Sequence, residues 1–368
     1  MPSRRSALSL LAGAGAALAL GAPAAHAGPA PHSRPFGPYG SPSRRLDALT
    51  LYVDPLGRGD HTDVRSAVEA ATGTGHTLVI APGTYRGAVT IGAARSGLTL
   101  IGASGDPRDT VIVHDNAAGT PKPDGSGTYG TSGSASVTVQ AADFTARDVT
   151  FANDWLRADH PEYTGTQAVA IKVQGDRSAF LGCRFLGHQD TLYADSLALT
   201  AFARQYYRDC YVEGDVDFVF GRATAVFDRC HFRTLTRTDL ASVPYGFVFA
   251  PSTAGANPRG YLVLRSRITS TAPDAYYKLA RPWVPSSDLT AHPMLTVRDS
   301  HLGAGIDAVT PYGTMSAGFP WQDQRFAEYR NTGPGARITD PAERPQLTAS
   351  EARSHTPAGY LGDWRPRG

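Results

Sequence analysis

Four polar side chains sit where an apolar run would be expected: Gln167 opening QAVAIKV, Gln189 and Asp190 within GHQDTLYA, and Asp217 within Gly214–Gly221, GDVDFVFG. An ionised carboxylate taken out of water is costly unless it is paired or hydrogen-bonded. Either Asp217 has a structural partner, or the protein uses its charge. Gln189 follows Gln167 by 22 residues, Asp190 follows it by 23, and Asp217 follows Asp190 by 27. In a fold built of stacked coils, residues about one coil apart stand side by side. Two neighbouring carboxyls do not both ionise easily, so one tends to keep its proton. An arginine beside one of them decides which. Arg281, in YYKLARPW, is the candidate. Paired with Asp217, it leaves Asp217 ionised and Asp190 as the acid. Two carboxamides beside such a pair supply N–H donors for a developing oxyanion. Nucleophile, acid/base and oxyanion donors are the parts of acyl transfer.

Stacked coils are what the rest of the chain predicts. Six segments share one pattern: ARDVTF (146–151), LGCRF (181–185), RDCYV (208–212), DRCHF (228–232), LRSRI (264–268) and RDSHL (298–302). Each is read as a short strand with a small or apolar residue at its centre: Val149, Cys183, Cys210, Cys230, Ser266 and Ser300. The centres recur after 34, 27, 20, 36 and 34 residues, which suits coils whose loops vary in length. The predicted fold is all-β, a right-handed parallel β-helix. A β-sandwich would need hairpin turns every 8–12 residues or so, and these are missing from the pattern. Helical periodicity is confined to residues 62–71, read as one capped N-terminal helix that covers the open end of the stack.

The three cysteines take equivalent places in successive coils. Cα atoms of neighbouring coils stand ~4.8 Å apart, inside the range a disulfide tolerates. Cys210–Cys230 is the favoured pair, with Cys183 free; three buried, unbonded thiols are the alternative. No His or Cys pair has metal-ligand spacing, so neither a metal nor a cofactor is expected.

The 368 residues are 41% apolar and only 18% charged, with 39 Gly and 27 Pro, which favours turns and short strands over long charged helices. The formal charge of +2 gives no reason to expect a nucleic-acid partner. Residues 1–27 read as an export signal. They carry Arg4 and Arg5, then an apolar run from Ala7 to about Gly21, then Ala25-His26-Ala27 as a small-x-small cleavage site. The arginine pair fits a twin-arginine route or an ordinary secretory one, and the apolar run is short for a membrane span. The expectation is therefore a secreted, extracellular protein with no membrane segment in its mature form, acting as a monomer. Residues 28–45 read as a flexible Pro/Gly-rich linker, and 46–368 as a single β-helix domain with a C-terminal tail from about Pro341.

Five blocks resemble the pectin methylesterase (pectinesterase) family in order: GTYRGAVTI (83–91), SASVTVQAADFTARDVTFAND (134–154), QAVAIKVQGDRSAFLGCRFLGHQDTLYA (167–194), GDVDFVFGRATAVFDRC (214–230) and LARPW (279–283). The similarity covers roughly 46–330, and its QDTLY and VDFVFG blocks are the specific ones. The resemblance implies a right-handed parallel β-helix that removes methyl groups from methyl-esterified galacturonate units of pectin, releasing methanol. It implies Asp217 as nucleophile, Asp190 as general acid and then base, Gln167 and Gln189 as oxyanion donors, and Arg281 as the group that orients Asp217. It further implies Trp283 as a sugar platform, with Tyr193, Phe218, Phe220 and Met315 lining the cleft. Ala280 departs from the glycine usual in that block, which bears on the aim of Arg281. The loop from Trp155 to Gly165 also diverges.

Other readings stay open on the residues alone. Asp217 and Arg281 could form a structural pair, the two glutamines an amide ladder, and Trp283 part of the core. Glu213 and Asp215 read as solvated turn charges. His160, His188 and His231 have no evident Ser or Cys partner, which argues against a Ser-His-Asp arrangement. The alternative functions are a β-helix lyase or glycosidase, and a non-catalytic pectin-binding β-helix.

Overall fold

The computed structural model describes residues 48–366. The expected export segment and linker lie outside the described residues. Every named strand pair is parallel, and the strands fall into three sheets of ten, seven and eight members. The chain visits the three sheets in turn and starts the next coil one ladder along. This is the right-handed parallel β-helix that the repeat predicts. Its interior holds rows of like side chains. The rings of Phe180, Tyr207 and Phe227 stack face to face through successive coils, with centroids 4.9 and 4.7 Å apart. A helix, Val64–Ala70, begins at Asp63, whose side chain accepts the Ser66 N–H. Its Val64, Ala67 and Val68 are buried in the same core.

The six repeated segments are corners rather than strands. Each joins a strand of the ten-membered sheet to one of the eight-membered sheet, as in Arg204–Arg208 to Tyr211–Gly214. The residue before each centre is left-handed: Asp148, Gly182, Asp209, Arg229, Arg265 and Asp299 all have φ between 48° and 62°. That conformation is tolerated by Gly and Asp and strained for Arg, and it turns the chain sharply enough to change sheets.

The same corner explains why the expected Cys210–Cys230 disulfide does not form: Cys183, Cys210 and Cys230 are all free and buried. Each thiol donates to the carbonyl two residues back, Leu181, Arg208 and Asp228 respectively. Ser266 and Ser300 do the same through their hydroxyls, to Leu264 and Arg298. In this position cysteine acts as a weak-donor substitute for serine. In-register parallel coils also keep their Cβ atoms ~4.8 Å apart with parallel vectors, whereas a disulfide draws them to about 3.8 Å. The Cα spacing permits a bond that the Cβ spacing does not.

The C-terminal tail wraps the stack. Tyr360 and Leu361, in the helix Pro357–Leu361, pack on Leu181, Val226, Leu262 and Leu264. Arg344 is wholly buried and makes a two-pronged bond to buried Glu328, at 3.0 and 2.8 Å, which also accepts the Tyr312 hydroxyl. Removing one member of a buried ion pair strands the other's charge and typically costs about 3–5 kcal/mol. Arg344→Met is therefore expected to lower stability by about that amount in urea unfolding, with Glu328→Gln/Arg344→Met recovering much of the loss.

Candidate active site

The seven-stranded sheet carries the candidate residues. Leu192 pairs with Val219 and Tyr193 with Phe220. The ladder continues below these strands, since the Asp190 N–H donates to the Val216 carbonyl at 3.0 Å and the Leu192 N–H to Phe218 at 2.8 Å. In this register Asp190 stands opposite Asp217. Both are left-handed, with φ of 65° and 49°. The carboxylate that reads as sitting in mid-strand is therefore at a corner, ahead of the strand Val219–Gly221. The turn also breaks the alternation across GDVDFVFG. Phe218 and Val219 both enter the core, while Phe220 faces outward. Phe218 is fully buried, which corrects the expectation that it lines the cleft.

Asp190 and Asp217 are both buried, 7% and 6% exposed. They differ in partners. Arg281 grips Asp217 through Nε, 2.9 Å from Oδ1, and Nη2, 2.6 Å from Oδ2. The guanidinium itself lies 4.4 Å from the ring centre of Phe247, a cation–π contact that fixes its plane. Among the described residues, no hydrogen bond reaches the Asp190 carboxyl. Burial pushes both carboxyls above the usual carboxylate range. Asp190 goes well above it, because the Asp217 charge adds to its burial. Asp217 moves less, because the Arg281 bonds and charge oppose its desolvation. Arg281 thus favours the ionised form of Asp217, while burial and the Asp217 charge favour the protonated form of Asp190. The Ala280 methyl does not disturb this. It is fully buried in the core cluster, on the side of the strand away from Arg281.

The glutamines flank the pair. The Ala168 N–H donates to the Gln189 carbonyl, so the chain at Gln167 runs beside that at Gln189. The Gln189 Oε1 accepts the Thr166 hydroxyl at 2.7 Å. With its oxygen engaged, the amide has its N–H₂ left to donate. The Gln167 side chain is partly exposed and has no hydrogen-bond partner among the described residues. On the outer face, Tyr193 and Phe220 stack at 4.1 Å, and Trp283 leans on both at 6.1 and 5.6 Å. Trp283 and Met315 are partly buried against this cluster, so the tryptophan belongs to an outer aromatic patch and not to the core.

Sequence reasoning missed one group outright. Asp215, expected to be a solvated turn charge, is 1% exposed. Arg157, from the loop between Trp155 and Gly165, binds it through both terminal nitrogens at 2.7 Å, and His188 Nδ1–H donates to it at 3.2 Å. The available signal was an acid two residues before Asp217 and a histidine two before Asp190; the arginine 58 residues upstream gave none.

The chain and its fold are similar to known proteins. The Pectinesterase family model matches residues 50–363. A pectinesterase from Ralstonia nicotianae is 32% identical over 312 residues, covering 76% of this chain and 78% of that one. Pectinesterase 31 of Arabidopsis thaliana is 37% identical over 297 residues, covering 77% and 83%. A crystal structure of pectin methylesterase in complex with a hexasaccharide is similar with a TM-score of 0.76 and 29% identity, over 86% of this chain and 98% of that one. By sequence and by fold, the chain belongs to the pectinesterase family of carboxylic ester hydrolases.

Proposed function

We propose that this protein removes methyl groups from methyl-esterified galacturonate in pectin, with Asp217 as nucleophile and Asp190 as acid and then base. The observation that carries the reading is the unequal treatment of two adjacent buried carboxyls, one gripped by Arg281 and the other unpaired. Asp217 attacks the ester carbonyl carbon, and the carbonyl electrons move onto oxygen. The amide N–H groups of Gln189 and Gln167 receive that oxyanion, with Thr166 keeping the Gln189 amide turned the right way. The intermediate collapses to an acyl-enzyme, an anhydride, as the methoxide leaves and takes the Asp190 proton to become methanol. Asp190, now ionised, takes a proton from a water that attacks the acyl carbon. Collapse releases the galacturonate carboxyl, restores Asp217 as carboxylate and leaves Asp190 protonated. Trp283, Tyr193, Phe220 and Met315 offer an apolar surface on which a sugar ring can rest. The pattern in residues 1–27 supports export, which would bring the enzyme to a polymer outside the cell.

Asp217→Asn and Asp190→Asn are each expected to reduce methanol release from highly esterified pectin to near background, with circular dichroism unchanged. Near-normal turnover in Asp217→Asn would overturn the nucleophile assignment. Gln189→Ala should lower kcat by ~10²–10³, the usual loss for one oxyanion donor, with a much smaller change in KM.

The raised Asp190 carboxyl also makes a stability prediction. A carboxyl that ionises at higher pH when folded than when unfolded holds extra protons in the native state. Its stabilising effect is full below the unfolded value and lost as pH rises through the folded value. Asp190→Asn escapes that loss. Its thermal midpoint is expected to match wild type at pH near 4 and to exceed it increasingly toward neutrality; an equal gap at every pH would contradict the assignment.

A further inference from the structure

The Asp215 cluster has no part in the chemistry described above, yet Asp215 precedes Asp217 by two residues and its charge reaches both reacting carboxyls. Asp215 sits at the corner leading into Asp217, and its backbone N–H donates to the His188 carbonyl. Its carboxylate accepts Arg157 Nη1 and His188 Nδ1 on Oδ2, and Arg157 Nη2 and the Val216 N–H on Oδ1. It is therefore saturated, and those bonds hold it ionised far below the usual carboxylate range against its burial. A permanent negative charge so close to a nucleophile that must itself be negative is a liability unless something cancels it. The charge of Asp215 is felt by Asp190 and Asp217 alike, and that of Arg157 opposes it at Asp190.

We propose that Arg157 is a positioning residue for the demethylation reaction, which cancels the buried Asp215 charge through a two-pronged ion pair beside the reacting carboxyls and so sets the pH range in which that pair works. The inference rests on the roles given above to Asp217 and Asp190. The other charged or titratable groups facing the cluster are Arg281 across the pair, His188 on the neighbouring coil, Arg237 paired with Asp239 on the following loop, and Tyr277. Arg237 is turned toward Asp239 and the Tyr245 carbonyl, and the Tyr277 hydroxyl donates to the Leu235 carbonyl. Among the described residues, Arg157 is thus the arginine or lysine bonded to Asp215. It is contributed by the loop between the blocks that carry the resemblance, so the charge balance proposed for this corner depends on a segment outside them.

The test is a charge cycle read as the pH profile of kcat/KM on esterified pectin. Arg157→Met leaves Asp215 uncancelled, and both limbs of the profile are expected to move to higher pH by about half a unit or more. Asp215→Asn leaves Arg157 uncancelled, and both limbs move to lower pH. The double variant Arg157→Met/Asp215→Asn removes both charges and returns the profile close to wild type, while Arg157→Lys keeps the charge and shows little shift. A merely structural role would lower activity in each variant without moving the limbs in opposite directions, and that result overturns the proposal. The cycle is repeated with His188→Gln in every variant, which takes that histidine out of the readout: opposite shifts that persist support the proposal, and shifts that vanish overturn it. Should Arg157→Met not fold, the direction of the Asp215→Asn shift decides: downward supports the proposal, and none or upward overturns it. Failure here is distinct from failure of the catalytic reading, which is decided by whether Asp217→Asn still releases methanol.

Discussion

One guanidinium shared unequally between two carboxyls underlies this site. Parallel coils place Asp190 and Asp217 opposite each other at a ladder spacing of ~4.8 Å. At that distance in a poorly hydrated corner, two like charges repel strongly, and the pair titrates as a unit. Arg281 breaks the symmetry by engaging both oxygens of Asp217. An arginine suits this role better than a lysine, because its fork matches a carboxylate and its flat face can rest on Phe247. In the proposed mechanism this asymmetry makes a nucleophile and a proton donor from the same residue type.

The scaffold contributes through its corners. A β-helix offers flat ladders on which side chains simply repeat, and a ladder alone would bury or expose both acids equally. The left-handed turns at Asp190 and Asp217 lift these residues out of the alternation and direct them to one place. The same type of turn recurs at Asp148, Asp209 and Asp299, away from the site, where it only changes the direction of the chain. Function here uses a device the fold already needs. Buried carboxyls held above their ordinary range detract from stability near neutral pH, a cost that the packing of the long stacked core has to offset.

Much of this was legible in the sequence because coils repeat. The interval from Asp190 to Asp217 is one coil, so the juxtaposition of the acids could be read directly, as could Arg281. What escaped detection involved conformation rather than spacing. The six repeated segments were read as strands, because a corner with an apolar centre and a strand look alike when φ is unknown. Phe218 was placed in the cleft with Phe220 through the resemblance, whereas the left-handed turn at Asp217 sends Phe218 into the core. The cysteine pairing followed from Cα spacing, whereas parallel Cβ vectors govern the bond. Asp215 looked solvated because its partner, Arg157, lies in a loop with no periodic relation to the coils; long-range ion pairs of that kind leave no local trace.

The claim at the centre is that near neutral pH one of the two acids keeps its proton and that this acid is Asp190. Infrared difference spectroscopy can observe it through the C=O stretch of a protonated carboxyl. The account predicts such a band in the wild-type protein near neutrality and its loss in Asp190→Asn, where only the Arg281-bound carboxylate of the pair remains. A wild-type spectrum without the band, or an Asp190→Asn spectrum that retains it, would contradict the account.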